Sequence, residues 1–208
     1  YDTENRTKTE IDIRTATGTQ EAIFSPSGEL VLFRSEFKGE IITDLYTVRT
    51  DAVVKLENNI TTADFSKNDL LVYGVPTQSG ISIKIYDVSR NTLRTLAQLP
   101  LNEWNVFWLN DRELGLYNKP SGTANGLYMS LNVATKKLTQ LSGPLKGLSA
   151  IGLDRPGYSI VSTGGAGQVR TYLLNNSTRV LGNLEVNTFA EKCAKTVFAS
   201  SVFCAVPK

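Results

Sequence analysis

The amino-acid sequence predicts an all-β protein, a β-propeller made of four-stranded antiparallel blades. A plan of strand, tight turn, strand, polar loop and strand runs through residues 20–46 and recurs three more times along the chain. Repeats of about 40–45 residues with several strands each are typical of propellers. The apolar runs are rich in Thr, Val, Ile and Tyr, which strands prefer. These observations predict one propeller domain or propeller segment over residues 1–208.

Aromatic residues recur with a drifting period, which supports the predicted repeat. The predicted third strands end near four tyrosines that lie 40, 42 and 44 residues apart, Tyr46, Tyr86, Tyr128 and Tyr172. The predicted second strands end at Phe33, Tyr73, Tyr117 and Val161. The predicted first strands carry Phe24, Phe65 and Trp108, with Leu153 in the fourth unit. We interpret the residues of each set as occupying equivalent positions in the four repeats. We interpret the four tyrosines of the third strands as packing residues.

The first unit spans residues 20–58. Its first strand leads into a turn, Ser25-Pro26-Ser27-Gly28, in which Pro presets φ and Gly can adopt a positive φ. The next strand, 30–33, is almost continuously apolar, which predicts that both of its faces are covered. Strands at 41–48 and 52–56 complete the unit. Residues 10–14, ahead of the unit, alternate polar and apolar residues and predict a half-buried strand.

The later units repeat this plan with different loops. They span residues 60–100, 103–142 and 147–185, and residues 188–208 are predicted to form the first two strands of a fifth unit. The Gly-rich segment 163–168 resembles a phosphate-binding loop in composition, but a strand follows it where such a loop needs a helix. We therefore interpret it, and the segment 118–126, as inter-strand loops.

Two architectures are compatible with this count of strands. The strand at 10–14 can join the hairpin at 193–206 and close a small five-bladed ring. Alternatively, the chain is a segment of a larger propeller. At about 40–45 residues per blade, 208 residues is short for a complete ring.

Composition argues against several classes of function. A net charge of +2 is too small to indicate nucleic acid or an anionic membrane as a partner. The chain contains no His, which removes Ser-His and Cys-His pairs and imidazole metal ligands. The carboxylates Asp87, Asp111 and Asp154 occupy different positions in their units, and the sequence has no calcium-loop motif. We predict that the chain is not an enzyme and has no catalytic residue, cofactor or metal.

The two cysteines, Cys193 and Cys204, lie on the two strands of the predicted terminal hairpin. The midpoint between them corresponds to the turn of the equivalent hairpin in the first unit, so they should face each other across antiparallel strands. This separation is compatible with a disulfide bond. Two buried thiols in a reducing compartment are the alternative.

Trp104 and Trp108 are the only tryptophans. They lie four residues apart on one predicted strand, so both side chains point to the same face. Trp108 aligns with Phe24 and Phe65, which predicts a role in core packing. Trp104 lies nearer a loop and is the better candidate for an exposed stacking platform.

Residues 23–30, IFSPSGEL, resemble the W-S-P-D-G signature of WD40-like repeats in TolB-type propellers, with Phe24 at the Trp position and Ser27 at the Asp position. Further motifs are similar to a propeller family of candidate-phyla (Patescibacteria) bacteria. These motifs are Glu103-Trp104, Asn118-Lys119-Pro120-Ser121, Gly126-Leu127-Tyr128, Gly147-Leu148, Glu191-Lys192-Cys193 and Cys204-Ala205-Val206-Pro207. Lys195 departs from the family pattern, which usually has Trp there, and this puts the register of the last hairpin in doubt.

The resemblance has implications for location and for architecture. Members of that family carry an N-terminal membrane anchor and project outside the cell. An extracytoplasmic location favours the disulfide between Cys193 and Cys204. Family members continue past the C-A-V-P element with further strands, which favours the segment of a larger propeller. Because the chain begins with Tyr1 and has one Met, at position 129, we interpret it as a processed or excised form.

The favoured function is a non-catalytic extracytoplasmic scaffold that binds a protein partner, in a cell-envelope assembly. A propeller presents loop-decorated faces on a rigid body, and its function then resides in particular sites on that body. Two alternatives remain open. One is a carbohydrate-binding or glycan-cleaving propeller, which needs clustered carboxylates and exposed aromatic side chains. The other is the accessory propeller of a peptidase.

Overall fold

The computed structural model describes residues 18–119, 121–153, 155, 157–165, 168–195 and 202–206, and it confirms the predicted all-β propeller fold class. Within these ranges the strands form four four-stranded antiparallel sheets and one two-stranded sheet. The chain divides into two compact units, residues 1–60 with the first sheet and residues 61–208 with the others. The strand predicted at 10–14, which decides between a closed ring and a segment, lies outside the described residues.

Each four-stranded sheet is a meander in which consecutive strands are hydrogen-bonded neighbours. Sheet 1 consists of β1 (Thr19–Phe24), β2 (Leu30–Phe37), β3 (Glu40–Thr47) and β4 (Ala52–Lys55). Sheet 2 consists of β5 (Thr62–Phe65), β6 (Leu71–Thr77), β7 (Gly80–Asp87) and β8 (Thr92–Leu99). Sheet 3 consists of β9 (Trp104–Asn110), β10 (Glu113–Asn118), β11 (Asn125–Asn132) and β12 (Leu138–Lys146). Sheet 4 consists of β13 (Ser149–Gly152), β14 (Tyr158–Gly165), β15 (Gln168–Asn175) and β16 (Leu181–Asn183). The terminal hairpin consists of β17 (Cys193–Lys195) and β18 (Val202–Cys204), preceded by a 3₁₀ turn at Ala190–Lys192.

Two strands extend beyond their predicted ends. β12 continues to Lys146 and pairs with β11 as far as Asn125, beyond the predicted end of the third unit at residue 142. The strand runs through a Gly-Pro pair, Gly143-Pro144, with an irregular register. Residues 163–165 of the predicted Gly-rich loop belong to β14, because they pair with the start of β15.

A recurring turn joins the third and fourth strands of every sheet. Its last residue has a positive φ, and these residues lie 40, 45 and 43 positions apart, Asp51, Asn91, Lys136 and Arg179. In three of the turns, the residue four positions before the one with positive φ accepts a backbone N–H of the turn through its side-chain Oδ1 atom. These acceptor residues are Asp87, Asn132 and Asn175. Hydrogen bonds of this kind stabilise tight turns locally. A further hydrogen bond, from Ser89, lowers the pKa of Asp87.

These turns show that two of the four aligned tyrosines are equivalent. Tyr46 and Tyr86 each lie five residues before the residue with positive φ. The phenol of Tyr46 donates to Asp51 and that of Tyr86 donates to Asn91, each over 2.8 Å. The hydrogen bond with Asp51 raises the pKa of Tyr46. The two residues therefore support both the sheet and its turn.

The predicted equivalence of the other two tyrosines is wrong. Leu131 and Leu174 occupy the equivalent position in sheets 3 and 4, so Tyr128 and Tyr172 lie three and two residues too early. Two other predicted equivalences are wrong by one residue in the opposite direction. Leu116, and not Tyr117, is equivalent to Phe33, and Gly152, and not Leu153, is equivalent to Phe24. The physical reason is that turns and bulges differ in length between sheets, while many apolar residues lie near every strand end.

Among the described residues of the second unit, three apolar layers are formed. The first lies between sheets 2 and 3 and contains both tryptophans, together with Ile83, Ile85, Leu114, Leu116 and others. The second lies between sheets 3 and 4 and includes Tyr128, Leu148 and Val161. Tyr128 is completely buried and shares a hydrogen bond of 2.7 Å with Ser159, and burial raises the pKa of its phenol. The third layer joins sheet 4 to the terminal hairpin.

Side-chain hydroxyls connect successive elements of this unit through hydrogen bonds to the backbone. The Oγ1 atom of Thr62 in β5 accepts the backbone N–H of Val106 in β9 over 2.9 Å. Two repeats later, the hydroxyl of Ser149 in β13 accepts the N–H of Ala190 over 3.1 Å. Asp64 also accepts the N–H of Trp108, over 2.7 Å. The innermost strands are therefore joined by polar contacts as well as by apolar packing.

We expect Thr62→Val to destabilise the protein by about 1–3 kcal/mol, because the N–H of Val106 is then buried without its acceptor. Thr62→Ser keeps the hydroxyl and is the matched control, for which we expect less than about 1 kcal/mol. Urea unfolding followed by tryptophan fluorescence measures both. If Thr62→Val is as stable as the parent while Thr62→Ser loses stability, the methyl group of Thr62, and not its hydroxyl, carries the effect.

Candidate interaction surface

One face of sheet 1 exposes a group of large apolar side chains. Cross-strand pairing places Phe24, Val31, Tyr46 and Val53 in one row, and partners in a row share a face. Residues two apart on a strand point to the same face. Phe33 and Phe37 follow Val31 along β2 in steps of two residues, and Ile42 precedes Tyr46 along β3 in the same way, so all three lie on this face. We call Phe24, Phe33, Phe37, Ile42 and Val53 the apolar face of sheet 1.

Exposure is uneven over this face. Phe24 is 64% exposed, Phe37 59% and Val53 53%, whereas Val31 and Tyr46, in the row between Phe24 and Val53, are at most 6% exposed. On the opposite face, Leu32 and Leu45 are completely buried and Val54 is 39% exposed. Large apolar side chains that cluster at an exposed surface mark interaction sites, whereas single exposed ones need no explanation.

The same face is buried in the later sheets of the chain. The residues equivalent to Phe24 are Phe65 in sheet 2 and Trp108 in sheet 3, and both are at most 6% exposed. Phe33 is half-buried, whereas its equivalent in sheet 3, Leu116, is completely buried. In sheet 3 this face is covered by the preceding sheet. The sequence thus provides sheet 1 with a face of the kind that another sheet covers elsewhere in the chain.

The prediction that Phe24 is a core residue is wrong. Its position in the repeat is that of a core residue, but its side chain is mostly exposed. Sequence reasoning missed the apolar face because apolar periodicity identifies the sides of a strand that can be covered and does not say what covers them. The signal available in the sequence was the three phenylalanines of β1 and β2, which all point to one side.

Polar groups lie among and beside these apolar residues. Asp44 and Lys55 continue the row that contains Phe33. The Oδ1 atom of Asp44 is buried and has no hydrogen-bond partner among the described residues. The ammonium group of Lys38 lies 5.2 Å from the centroid of the Phe37 ring, a cation–π arrangement. The face therefore combines apolar contact area with a carboxylate oxygen that can accept a hydrogen bond.

Cys193 and Cys204 form a disulfide bond in the terminal hairpin. They are direct cross-strand partners with Cα atoms 4.0 Å apart, which confirms the predicted register. The departure from the family pattern at Lys195 does not disturb it, since Lys195 pairs with Val202 in the same ladder.

Both tryptophans are buried, with 6% of each side chain exposed. The prediction for Trp108 as a core residue is confirmed. The prediction that Trp104 is the more open residue is wrong, because the indole packs in the layer between sheets 2 and 3 and its Nε1–H donates to the Pro100 carbonyl over 2.7 Å. Neither residue can therefore act as an exposed platform for sugars or peptides.

The carboxylates considered in the sequence lie apart. Asp87 is the last residue of β7 and Asp111 lies in the turn after β9, while Asp154 lies outside the described residues. Among the residues that the structure describes, no group of three His, Cys, Asp or Glu side chains could hold a metal ion. In the same part of the chain, no helix has the length and apolar character needed to cross a membrane.

No family model matches the chain, and no curated protein matches its sequence. Solved structures resemble its fold. The TolB protein of Acinetobacter baumannii is 16% identical over 79% of this chain and 43% of its own, with a TM-score of 0.63. An acylaminoacyl peptidase of Pyrococcus horikoshii is 10% identical over 88% of this chain and 34% of its own, with a TM-score of 0.63. The β-propeller domain of the trilobed protease from Pyrococcus furiosus, described as having an open velcro topology, is 12% identical over 83% of this chain and 59% of its own, with a TM-score of 0.57.

The chain spans less than two thirds of the length of each of these structures. At such low identity the likeness concerns the fold and not the activity. The four-stranded antiparallel sheets and these likenesses together give the chain a β-propeller fold, similar to the propeller folds of TolB and of these peptidases.

Proposed function

We propose that the chain is a non-catalytic, extracytoplasmic β-propeller scaffold that binds another protein through the apolar face of sheet 1. The observation that carries the proposal is the exposure of Phe24, Phe37 and Val53 on one face. The disulfide bond supports an extracytoplasmic location, because such bonds persist in oxidising compartments. In this proposal the scaffold belongs to a cell-envelope assembly and is held at the membrane by a segment outside this chain, as the resembling bacterial family implies.

The partner that fits this face presents a flat apolar β-sheet surface. The equivalent face of sheet 3 supports this choice, because a neighbouring sheet covers it with Ile83, Ile85 and other apolar side chains. That interface also includes a hydroxyl on the covering sheet, from Thr62, bonded to the backbone of the covered strand. We expect the partner to offer similar hydroxyl or amide groups to β1.

A site-specific photo-cross-linker tests this proposal in the full-length protein, in the cells that produce it. The cross-linker is a benzophenone amino acid that replaces Phe24. We expect it to form a cross-link to one distinct protein. Leu101 is the control position, because it is equally exposed at 65% but lies in the connection between sheets 2 and 3. Cross-links from position 24 only to the same chain, or only to a second copy, would contradict the proposal and identify the face as an internal or self-association surface.

Once the cross-link has identified the partner, the affinity of the purified chain for the purified partner completes the test. We expect Phe24→Ser and Phe37→Ser each to weaken binding by about ten-fold or more, as truncation of a central aromatic contact does. Leu101→Ser should leave the affinity within about two-fold, since an isolated exposed apolar residue contributes little. Circular dichroism shows whether the variants remain folded.

A second candidate function is the accessory propeller of a peptidase. The likeness to the acylaminoacyl peptidase and to the trilobed protease domain favours it. In that case the catalytic groups would lie in another part of the full-length protein. Peptide hydrolysis by the purified full-length protein, with no cross-link from position 24 to a separate protein, would favour this function over the scaffold.

A further inference from the structure

The terminal hairpin is attached to sheet 4 unequally along its two strands. The segment that leads into β17 is bonded directly to sheet 4, where the N–H of Ala190 donates to the hydroxyls of Ser149 and Ser162 over 3.1 and 2.9 Å. Thr188 adds two hydrogen bonds with the Thr171 hydroxyl, of 2.6 and 3.3 Å. These contacts fix the first strand without help from the disulfide.

The second strand, β18, has weaker support. It pairs with β17 through three residue pairs only, and no third strand joins this sheet within the described residues. Two further hydrogen bonds hold the residue after it, from the hydroxyl of Thr188 to the Ala205 carbonyl over 2.6 Å and from the Ala205 N–H to Lys192 over 3.0 Å. A two-stranded hairpin alone is marginally stable in water.

The disulfide connects these unequal strands, and β18 contributes to the third apolar layer. Val202 and Cys204 of β18 pack against the buried cluster of Ile160, Ala190 and Cys193, in which Ile160 belongs to β14 of sheet 4. Phe203 points to the other side and is 70% exposed. Cys204 is half-buried, whereas Cys193 is 8% exposed, so Cys204 is the more exposed partner of the bond.

We propose that the Cys193–Cys204 disulfide is a reducible latch that holds β18 over sheet 4. A thiolate of a dithiol reductant attacks the Cys204 sulfur, which breaks the bond between the two cysteines and leaves Cys193 as a thiolate that takes up a proton. The second thiol of the reductant then attacks the mixed disulfide, Cys204 leaves as a thiolate and is protonated, and the reductant departs as its own disulfide. The two electrons come from the dithiol. β18 then separates from β17 and uncovers the apolar cluster of Ile160, Ala190 and Cys193.

Hydrogen exchange of the full chain, before and after reduction with dithiothreitol, tests the latch. Thiol titration should count no free thiols before reduction and two after it. We expect amide exchange in residues 202–205 to accelerate by about ten-fold or more, which corresponds to local opening, while β6 and β10 in sheets 2 and 3 exchange as before. Binding of an apolar dye should increase in parallel.

Two variants make the result specific. Cys193→Ser/Cys204→Ser lacks the latch, so its residues 202–205 should exchange rapidly without dithiothreitol and should not respond to it. Ala194→Ser/Phe203→Ser changes the neighbouring exposed pair and keeps the disulfide, so its response should match the parent. Unchanged exchange at 202–205 in the fully reduced chain would overturn the latch. Faster exchange throughout sheets 2 and 3 would also overturn it, because the bond would then support the whole unit, and resistance to dithiothreitol would rule out reduction as the trigger.

Discussion

Trp108→Ala is expected to lower the free energy of unfolding by about 3–5 kcal/mol, among the largest effects of any single substitution. The side chain is 6% exposed and packs in the layer between sheets 2 and 3. Removing it leaves a cavity lined by residues of both sheets, which can relax only in part because strand pairing fixes their backbones. Equilibrium unfolding in urea, followed by circular dichroism, measures the loss.

Trp104→Ala should cost a similar amount, because Trp104 is buried to the same extent in the same layer. Phenylalanine substitutions separate the two residues. Trp104→Phe loses the hydrogen bond to Pro100, whereas the buried Nε1–H of Trp108 has no partner among the described residues, so Trp108→Phe removes an unsatisfied donor. We expect Trp104→Phe to be the more destabilising of the pair. The opposite order would show that ring volume dominates over hydrogen bonding in this layer.

Gly80→Ala is expected to be nearly as harmful, at about 3–5 kcal/mol. Gly80 begins β7 with a φ of 145°, a conformation that only glycine adopts easily. A Cβ atom there would clash with the carbonyl oxygen of Leu99 and lie 2.9 Å from its carbonyl carbon, on the neighbouring strand β8. Since both contacts involve backbone, neither can move without breaking the β7–β8 ladder. Thermal unfolding compared with the parent chain measures the effect.

Gly39→Ala is the matched control for Gly80→Ala. Gly39 lies just before the third strand of its sheet and has a φ of 82°, but a Cβ atom there would meet nothing within 4 Å. We expect only the conformational cost of a positive φ, about 1–2 kcal/mol. If the two variants lose equal stability, the contact with Leu99 contributes nothing and conformational strain explains both.

The sequence was sufficient to predict the meander sheets and the cross-strand residue pairs of the terminal hairpin. Alternation along the strands, together with turn residues such as Pro26 and Gly28, indicates where each strand begins and ends. The pairing of Cys193 with Cys204 followed from symmetry about a turn, which depends on local chain geometry alone. Features determined by short stretches of chain are therefore the ones that a single sequence reveals.

Features that depend on neighbouring sheets were not predictable. Phe24 and Trp108 hold the same position in their sheets, yet one is 64% exposed and the other 6%. Trp104 lies close to a loop in the sequence and is nevertheless covered by residues from sheet 2. Equivalence across sheets also failed at Tyr128, because turns and bulges of different length shift the register without changing the apolar pattern. Burial is decided by packing between sheets, which no local pattern encodes.

The meander order of the strands has a consequence for how the chain responds to cutting. Every strand pair in sheets 2 and 3 joins neighbours along the chain, and the two sheets are connected by the short exposed segment around Leu101. A protease that nicks the backbone there would break no strand ladder, and the fragments would remain associated through the tryptophan layer. The same connection is thus a natural opening point for circular permutation, since new termini placed there leave each sheet whole.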